Sequence, residues 1–301
     1  MAAAVSSAEL QADSFKRLYP DQYLAKPTSI GLGVVSTADA SALVKVGSTA
    51  ALAGIKCEVM PASADTPEEG RLALQVELAP LCSADTRPGR PSEAAAVLTE
   101  QLSSLLEGAG VVDRRQLCID PGKAAWAVYV DVYVLDADGS LHDACLLAVL
   151  AALSSLRLHA VAVDDTGRIQ KAPADAAAAG AAGAQRQQGA ADGAATALQQ
   201  QPQGHQRRPL LLACHPVSLT CGLYRDRLLV DPTAEEEPLL EAAMTTTVDE
   251  SGDILGFYKA GGSATLSRER MLECIEAAKQ RSREVRGLLQ QALEAAAAAP
   301  S

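Results

Sequence analysis

Two acidic clusters hold the residue types that proton transfer or metal binding requires. The first gathers Asp136, Asp138, His142 and Asp143, and the second is DPTAEEE, from Asp231 to Glu237. A carboxylate beside an imidazole is the material of a general acid–base pair, and several hard oxygens in one loop are what a divalent cation takes. Each cluster also has a plainer reading, which is preferred. Asp136 and Asp138 with Gly139 fit a tight turn whose Asx side chains bond local backbone. Asp143 falls in a first helical turn, where the helix dipole favours a carboxylate, and His142 beside it reads as a partly exposed turn residue. DPTAEEE reads as a solvated acidic loop after a strand. Cys214-His215 with Cys221 lacks the spacing and the fourth ligand of a zinc site, so neither metal nor cofactor is expected.

The first cluster needs two elements to position it. WAVYVDVYVLDADG, from Trp126 to Gly139, is a β-rich run ending in an acidic turn, and LHDACLLAVLAAL follows as an almost wholly apolar helix from Leu141 to Leu156. Upstream, residues 41–47 and 49–60 read as strands joined at Gly47-Ser48. RLALQVELAP, residues 71–80, alternates Leu72, Leu74, Val76 and Leu78 with the period of a strand. EAAAVLTEQLSSLLEG sets Leu98, Leu102, Leu105 and Leu106 on one helical face, with Ser92 as N-cap and Gly108 as the stop. Downstream, PLLLACHPVSLTCGLYRDRLLVD holds three apolar runs broken near Pro216 and at Arg225-Asp226, read as antiparallel strands. MTTTVDESGDILGFYKAGG gives two more around residues 250–253. A final amphipathic helix presents Leu272, Ile275, Val285 and Leu288 inward. Each half is several strands and then a helix, so an α+β layered domain with internal pseudo-repetition is expected.

Composition narrows the function class. With 301 residues and 48% hydrophobic content the chain can bury a core, while a formal charge of −11 argues against this chain alone gripping a polyanion. A local basic face is the alternative. Arg114, Arg115 and Lys123 precede the Trp126 strand, and Arg225 and Arg227 flank a hairpin turn, although solvated arginines on loops are the preferred reading. Seven scattered cysteines without a CxxC pair fit reduced thiols. No run approaches the roughly 20 apolar residues of a membrane span, and residues 1–20 carry no apolar leader core, so no membrane partner is expected. Residues 171–208 turn to Ala, Gln and Gly without apolar period. They read as a disordered insertion between a first half (28–170) and a second half (209–290), with residues 1–27 as an extension and 291–301 as a disordered tail.

Four blocks in order carry a resemblance: ASALVKVGST (40–49), GKAAWAVYVDVYVLDADG (122–139), DACLLAVLAAL (143–153) and LLVDPTAEEE (228–237). Together they resemble the RNase PH family, and more narrowly the ring subunits of the eukaryotic RNA exosome, over residues 28–290 without the insertion. The resemblance implies an RNase PH-like (ribosomal protein S5 domain 2-like) fold. It further implies heterodimers closing a six-membered ring, S1/KH cap proteins, single-stranded RNA threading the channel, and residence in nucleus, nucleolus and cytoplasm. Active members are phosphorolytic and carry a Gly-Thr-Arg phosphate cradle after the acidic turn. Here those positions read Ser140, Leu141 and His142, and a neutral imidazole does not replace a charged bidentate fork. Active members also have Asp at both ends of the later cluster, where this chain has Asp231 and Glu237. These two are vestigial catalytic candidates, and the resemblance implies a non-catalytic structural subunit; the alternative is an active phosphate-dependent exoribonuclease. The family's Arg-Pro-Asp-Gly-Arg-like segment before the first strands has no counterpart in YLAKPTSIGLG (23–33).

Overall fold

A computed structural model describes residues 28–80, 82, 92–163, 169–171, 207–225, 227–259, 261–262 and 264–298. The expectations for residues 1–27 and for most of the 171–208 insertion lie outside them.

The first half is built on a twisted sheet. Strands β1 (Thr28–Leu32), β2 (Ala40–Val46), β3 (Thr49–Pro61) and β4 (Arg71–Leu78) join β5 (Cys118–Asp120) and β6 (Ala124–Asp136), with order β1-β2-β3-β6-β4 and β5 on β6. β3 and β6 pair antiparallel from Ala50↔Asp136 to Pro61↔Ala124, whereas β4 runs parallel to β6. That parallel pair needs a crossover. Helix α1 (Glu93–Gly108) lies in the connection between β4 and β5, and packs on β4. Its buried face, Ala95, Leu98, Leu102 and Leu106, follows the helical period. Ser92 makes no side-chain capping bond. Gly108 is the last helical residue, and the left-handed position falls at Gly110, φ 59°.

Helix α2 (Leu141–Ser155) buries ten consecutive residues, Ala144 to Leu153. A helix apolar all round must be covered all round. It rests on β1, β2, β3 and β6, and also reaches β11 of the second half. Its four alanines, Ala144, Ala148, Ala151 and Ala152, are fully buried and let backbones approach closely. Past α2, β7 (Arg157–His159) pairs with β10 (Arg207–Pro209), and β8 (Val161–Val163) with β9 (Ile169–Lys171). The end of the expected insertion is therefore a strand, at Arg207 and Arg208.

The second half is a four-stranded antiparallel sheet, β12 (Arg227–Val230), β11 (Val217–Tyr224), β13 (Ala242–Val248) and β14 (Ile254–Lys259) in that order. Of the three apolar runs expected as strands, the first makes only a single bridge, Leu212↔Val112. Helix α3 (Arg268–Ala298) covers β11 and β13 and touches β1. Its buried residues are Cys274, Ala278, Arg281, Ser282, Val285 and Leu289, while Leu272 is exposed and Ile275 and Leu288 are half-buried. The expected face is rotated because its cysteine, alanine and serine fit against the closely approaching sheet. The tail is helical to Ala298, where low complexity suggested disorder.

Candidate functional site

The turn between β6 and α2 and the loop after β12 meet. Gly139 has φ 79°, and a Cβ there would stand 2.3 Å from the Pro232 carbonyl oxygen, so only glycine allows this approach. Ser140 follows at φ 48°, also left-handed, as N-cap of α2. Its hydroxyl donates to the Pro232 carbonyl (3.3 Å). Its backbone N–H donates to Glu237 Oε1 (2.9 Å). On the other side Thr49 Oγ1 donates to the Gly139 carbonyl (2.9 Å) and accepts from the Asp138 N–H (3.1 Å). Asp138 Oδ1 accepts from the Ala234 N–H (3.4 Å). The expected local Asx bonds are thus replaced by bonds reaching some ninety residues along the chain.

Asp143 has a structural part. Its carboxylate accepts from Ser218 Oγ (2.6 Å) and from the Thr220 N–H (2.7 Å), joining the first turn of α2 to β11. His142 Nδ1 lies 3.2 Å from Ser218 Oγ. Because the Ser218 proton points at Asp143, the imidazole N–H is the donor in that contact. Proton transfer out of serine, which a nucleophile needs, would run the other way. His142 is half-buried in the first turn of α2, with 11% of its side chain exposed. Cys145, one turn on, is no nucleophile either: burial, aided by Asp143, pushes its thiol up to about 12.

The DPTAEEE carboxylates diverge. Glu236 accepts from the Thr233 N–H (3.0 Å), Glu237 serves Ser140, and Asp231, left-handed at φ 53°, lines a narrow cleft with Asp143, Ser218 and Arg281. Among the described residues no three His, Cys, Asp or Glu side chains converge as a metal would require. Cys214 donates to the Ala109 carbonyl (3.7 Å), His215 bonds Glu250 (2.7 Å), and Cys221 contacts Cys274, so the Cys214-His215-Cys221 set is dispersed. All seven cysteines are free thiols.

The basic candidates occupy two regions. Arg114 pairs with Glu107 (2.5 Å) and Lys123 with Asp120 (2.9 Å), while Arg115 is exposed. Arg225 and Arg227 stand on the other sheet, where the Arg225 guanidinium lies 5.2 Å from the centre of the Tyr224 ring. Sequence order alone did not show that Arg208 reaches the Gln116 carbonyl, bringing β10 beside Arg114 and Arg115. Nor did it point to Arg281, which is 7% exposed and bonds Thr28 Oγ1 (2.5 Å) from within the cleft.

The 3′ exoribonuclease family matches with its domain 1 at residues 25–159 and its domain 2 at residues 214–281. Exosome complex component Rrp42 of Pyrococcus furiosus is 31% identical over 272 residues, covering 90% of this chain and 86% of its own length. Exosome complex component rrp43 of Schizosaccharomyces pombe is 29% identical over 285 residues, covering 89% and 94%. Among solved structures, a chain of the Archaeoglobus fulgidus exosome with RNA bound to the active site superposes with a TM-score of 0.68 at 25% identity, covering 93% of this chain and 97% of its own. A chain of the archaeal exosome core superposes with a TM-score of 0.64 at 22% identity, covering 95% and 100%.

Proposed function

The chain belongs to the 3′ exoribonuclease family, as an RNase PH-like component of the exosome core ring, and we propose that it serves there as a structural subunit without phosphorolytic activity of its own. One observation carries the reading. At the turn where a phosphate would need donors, the Ser140 N–H is taken by Glu237 and no guanidinium stands at positions 140 to 142. An anion entering there would meet a carboxylate instead of a fork of cations, and phosphoryl chemistry depends on preorganised positive donors.

In this role the chain pairs with another RNase PH-like subunit, contributes to the RNA channel and supports an S1/KH cap protein, while an associated nuclease supplies hydrolysis. Ribosomal RNA maturation and messenger RNA turnover in nucleus, nucleolus and cytoplasm are the processes it serves. Its sequence blocks resemble ribosomal RNA-processing protein 43, which is the ring position proposed.

A second reading, a phosphate-dependent exoribonuclease using Asp231 and Glu237, draws on Arg281, which lines the same cleft as Asp231. That guanidinium is already bonded to Thr28 and Glu284 (3.3 Å), which favours the first reading. The protein, alone and with its ring partners, is incubated with 3′-tailed RNA and inorganic phosphate. No phosphate-dependent nucleoside diphosphate is expected, and its release would overturn the structural reading.

A further inference from the structure

The six-stranded sheet has two unlike faces. On β6, Val128, Val130, Val132 and Val134 point into the core beneath α2, and Tyr129, Asp131, Tyr133 and Leu135 point the other way. Helices α2 and α3 share one core with these valines, whereas the outward residues of β6 are exposed. Tyr129 is 37% exposed, Tyr133 42% and Leu135 44%.

Register assembles this face into rows. Leu43 pairs with Leu52, Leu52 with Tyr133, and Tyr133 with Glu77, so four adjacent strands present two leucines, a tyrosine and a glutamate side by side. Leu43 and Leu52 are half-buried and take no part in the core beneath. Asp131 stands two residues before Tyr133 on β6, and Glu77 and Asp131 both act on the phenol, Glu77 more strongly, raising its pKa. Lysines Lys45 and Lys56 stand in flanking rows.

An aromatic ring between two carboxylates, continued by an apolar strip, is complementary to an arginine. The guanidinium stacks on the ring and bonds the carboxylates, while neighbouring apolar side chains cover the leucines. Such aromatic and arginine pairs concentrate binding energy at protein interfaces. A second copy of this chain is a poor occupant, because each carries a formal charge of −11. We infer that the outer face of this sheet, centred on Tyr133 with Glu77 and Asp131, is the surface on which an RNase PH-like neighbour seats an arginine flanked by apolar side chains. The inference rests on the ring-subunit reading and names the surface through which it operates.

The full chain, tagged, is co-expressed with the other ring subunits as wild type, Y133A and the double variant E77K/D131K. At least a tenfold loss of co-purified RNase PH-like subunit is expected for each variant, with the melting temperature of the isolated chain unchanged. Stoichiometric recovery with either variant overturns the inference, whereas a wild-type chain that brings down no RNase PH-like subunit overturns the ring reading itself. In parallel, Tyr133→p-benzoylphenylalanine is photolysed in the purified complex. A cross-link to an arginine-bearing segment of an RNase PH-like subunit supports the surface. Cross-links to RNA, to a second copy, or to this chain's own residues 1–27 or 172–206 overturn it.

Discussion

At the scale of the residue, the acidic turn is held by bonds between distant segments, and their removal should be measurable. Asp143→Ala leaves the Thr220 N–H without its carboxylate partner. Hydrogen bonds to charged groups contribute about 1.5–3 kcal/mol, so a loss of about 2 kcal/mol is expected in denaturant unfolding. Gly139→Ala adds a left-handed alanine and a contact with the Pro232 carbonyl, which together should cost roughly 3 kcal/mol. Glu237→Gln should be mild, within about 1 kcal/mol, because an amide oxygen still accepts from the Ser140 N–H. A different ranking in chemical denaturation would show that the turn is not held by these bonds.

Elements show a different dependence, on pH. Glu250, in the β13–β14 turn, accepts from the backbone N–H of His215 (2.6 Å) and lies near its ring, and Arg286 of α3 donates to the His215 carbonyl (3.2 Å) and the Val248 carbonyl (3.4 Å). Burial alone would raise the Glu250 carboxyl. Its backbone and His215 hydrogen bonds and the Arg286 charge outweigh that and hold it below its ordinary value of 4.5. A carboxyl depressed in the folded state binds fewer protons there than when unfolded. The stabilisation is therefore present above the ordinary carboxylate range and is lost as pH falls through it and past the depressed value. His215→Ala should flatten the fall in stability between about pH 5 and pH 3, read from urea midpoints across that range. An unchanged acid limb would remove this turn from the account of acid sensitivity.

For the whole molecule, the two sheets do not stand as separate bodies. Helix α2 lies on β1, β2 and β3 and reaches β11, and α3 spans β11, β13 and β1, with Arg281 bonded to Thr28. A fragment ending at residue 163 would uncover much of α2, whose burial contributes about 25 cal/mol per Å² of apolar surface. It should therefore be insoluble or lack a cooperative melt, whereas the full chain unfolds in one transition by calorimetry. Replacing residues 172–206 with a short Gly/Ser linker should shift that transition little, since each doubling of a flexible loop costs only about 0.6 kcal/mol.

Much of this architecture was legible in order and periodicity. The alternation in residues 71–80, the leucine face of α1 and the unbroken apolar run of α2 each specify an element locally, and each element forms within its pattern. The rotated face of α3 was hidden because alanine, cysteine and serine carry little hydropathy signal, and their burial follows from how closely a sheet approaches. The single bridge at Leu212 was hidden because an apolar run does not state whether a neighbouring strand is within reach. The substitution of Ser140, Leu141 and His142 for a cationic cradle could be read from the sequence by itself, since charge is a property of the residue. That Glu237 closes on the Ser140 N–H, that Asp143 ties α2 to β11, and that Leu43, Leu52, Tyr133 and Glu77 form one row were decided only by the tertiary structure. Those pairings depend on strand register and on loops meeting across some ninety residues, which no local propensity encodes.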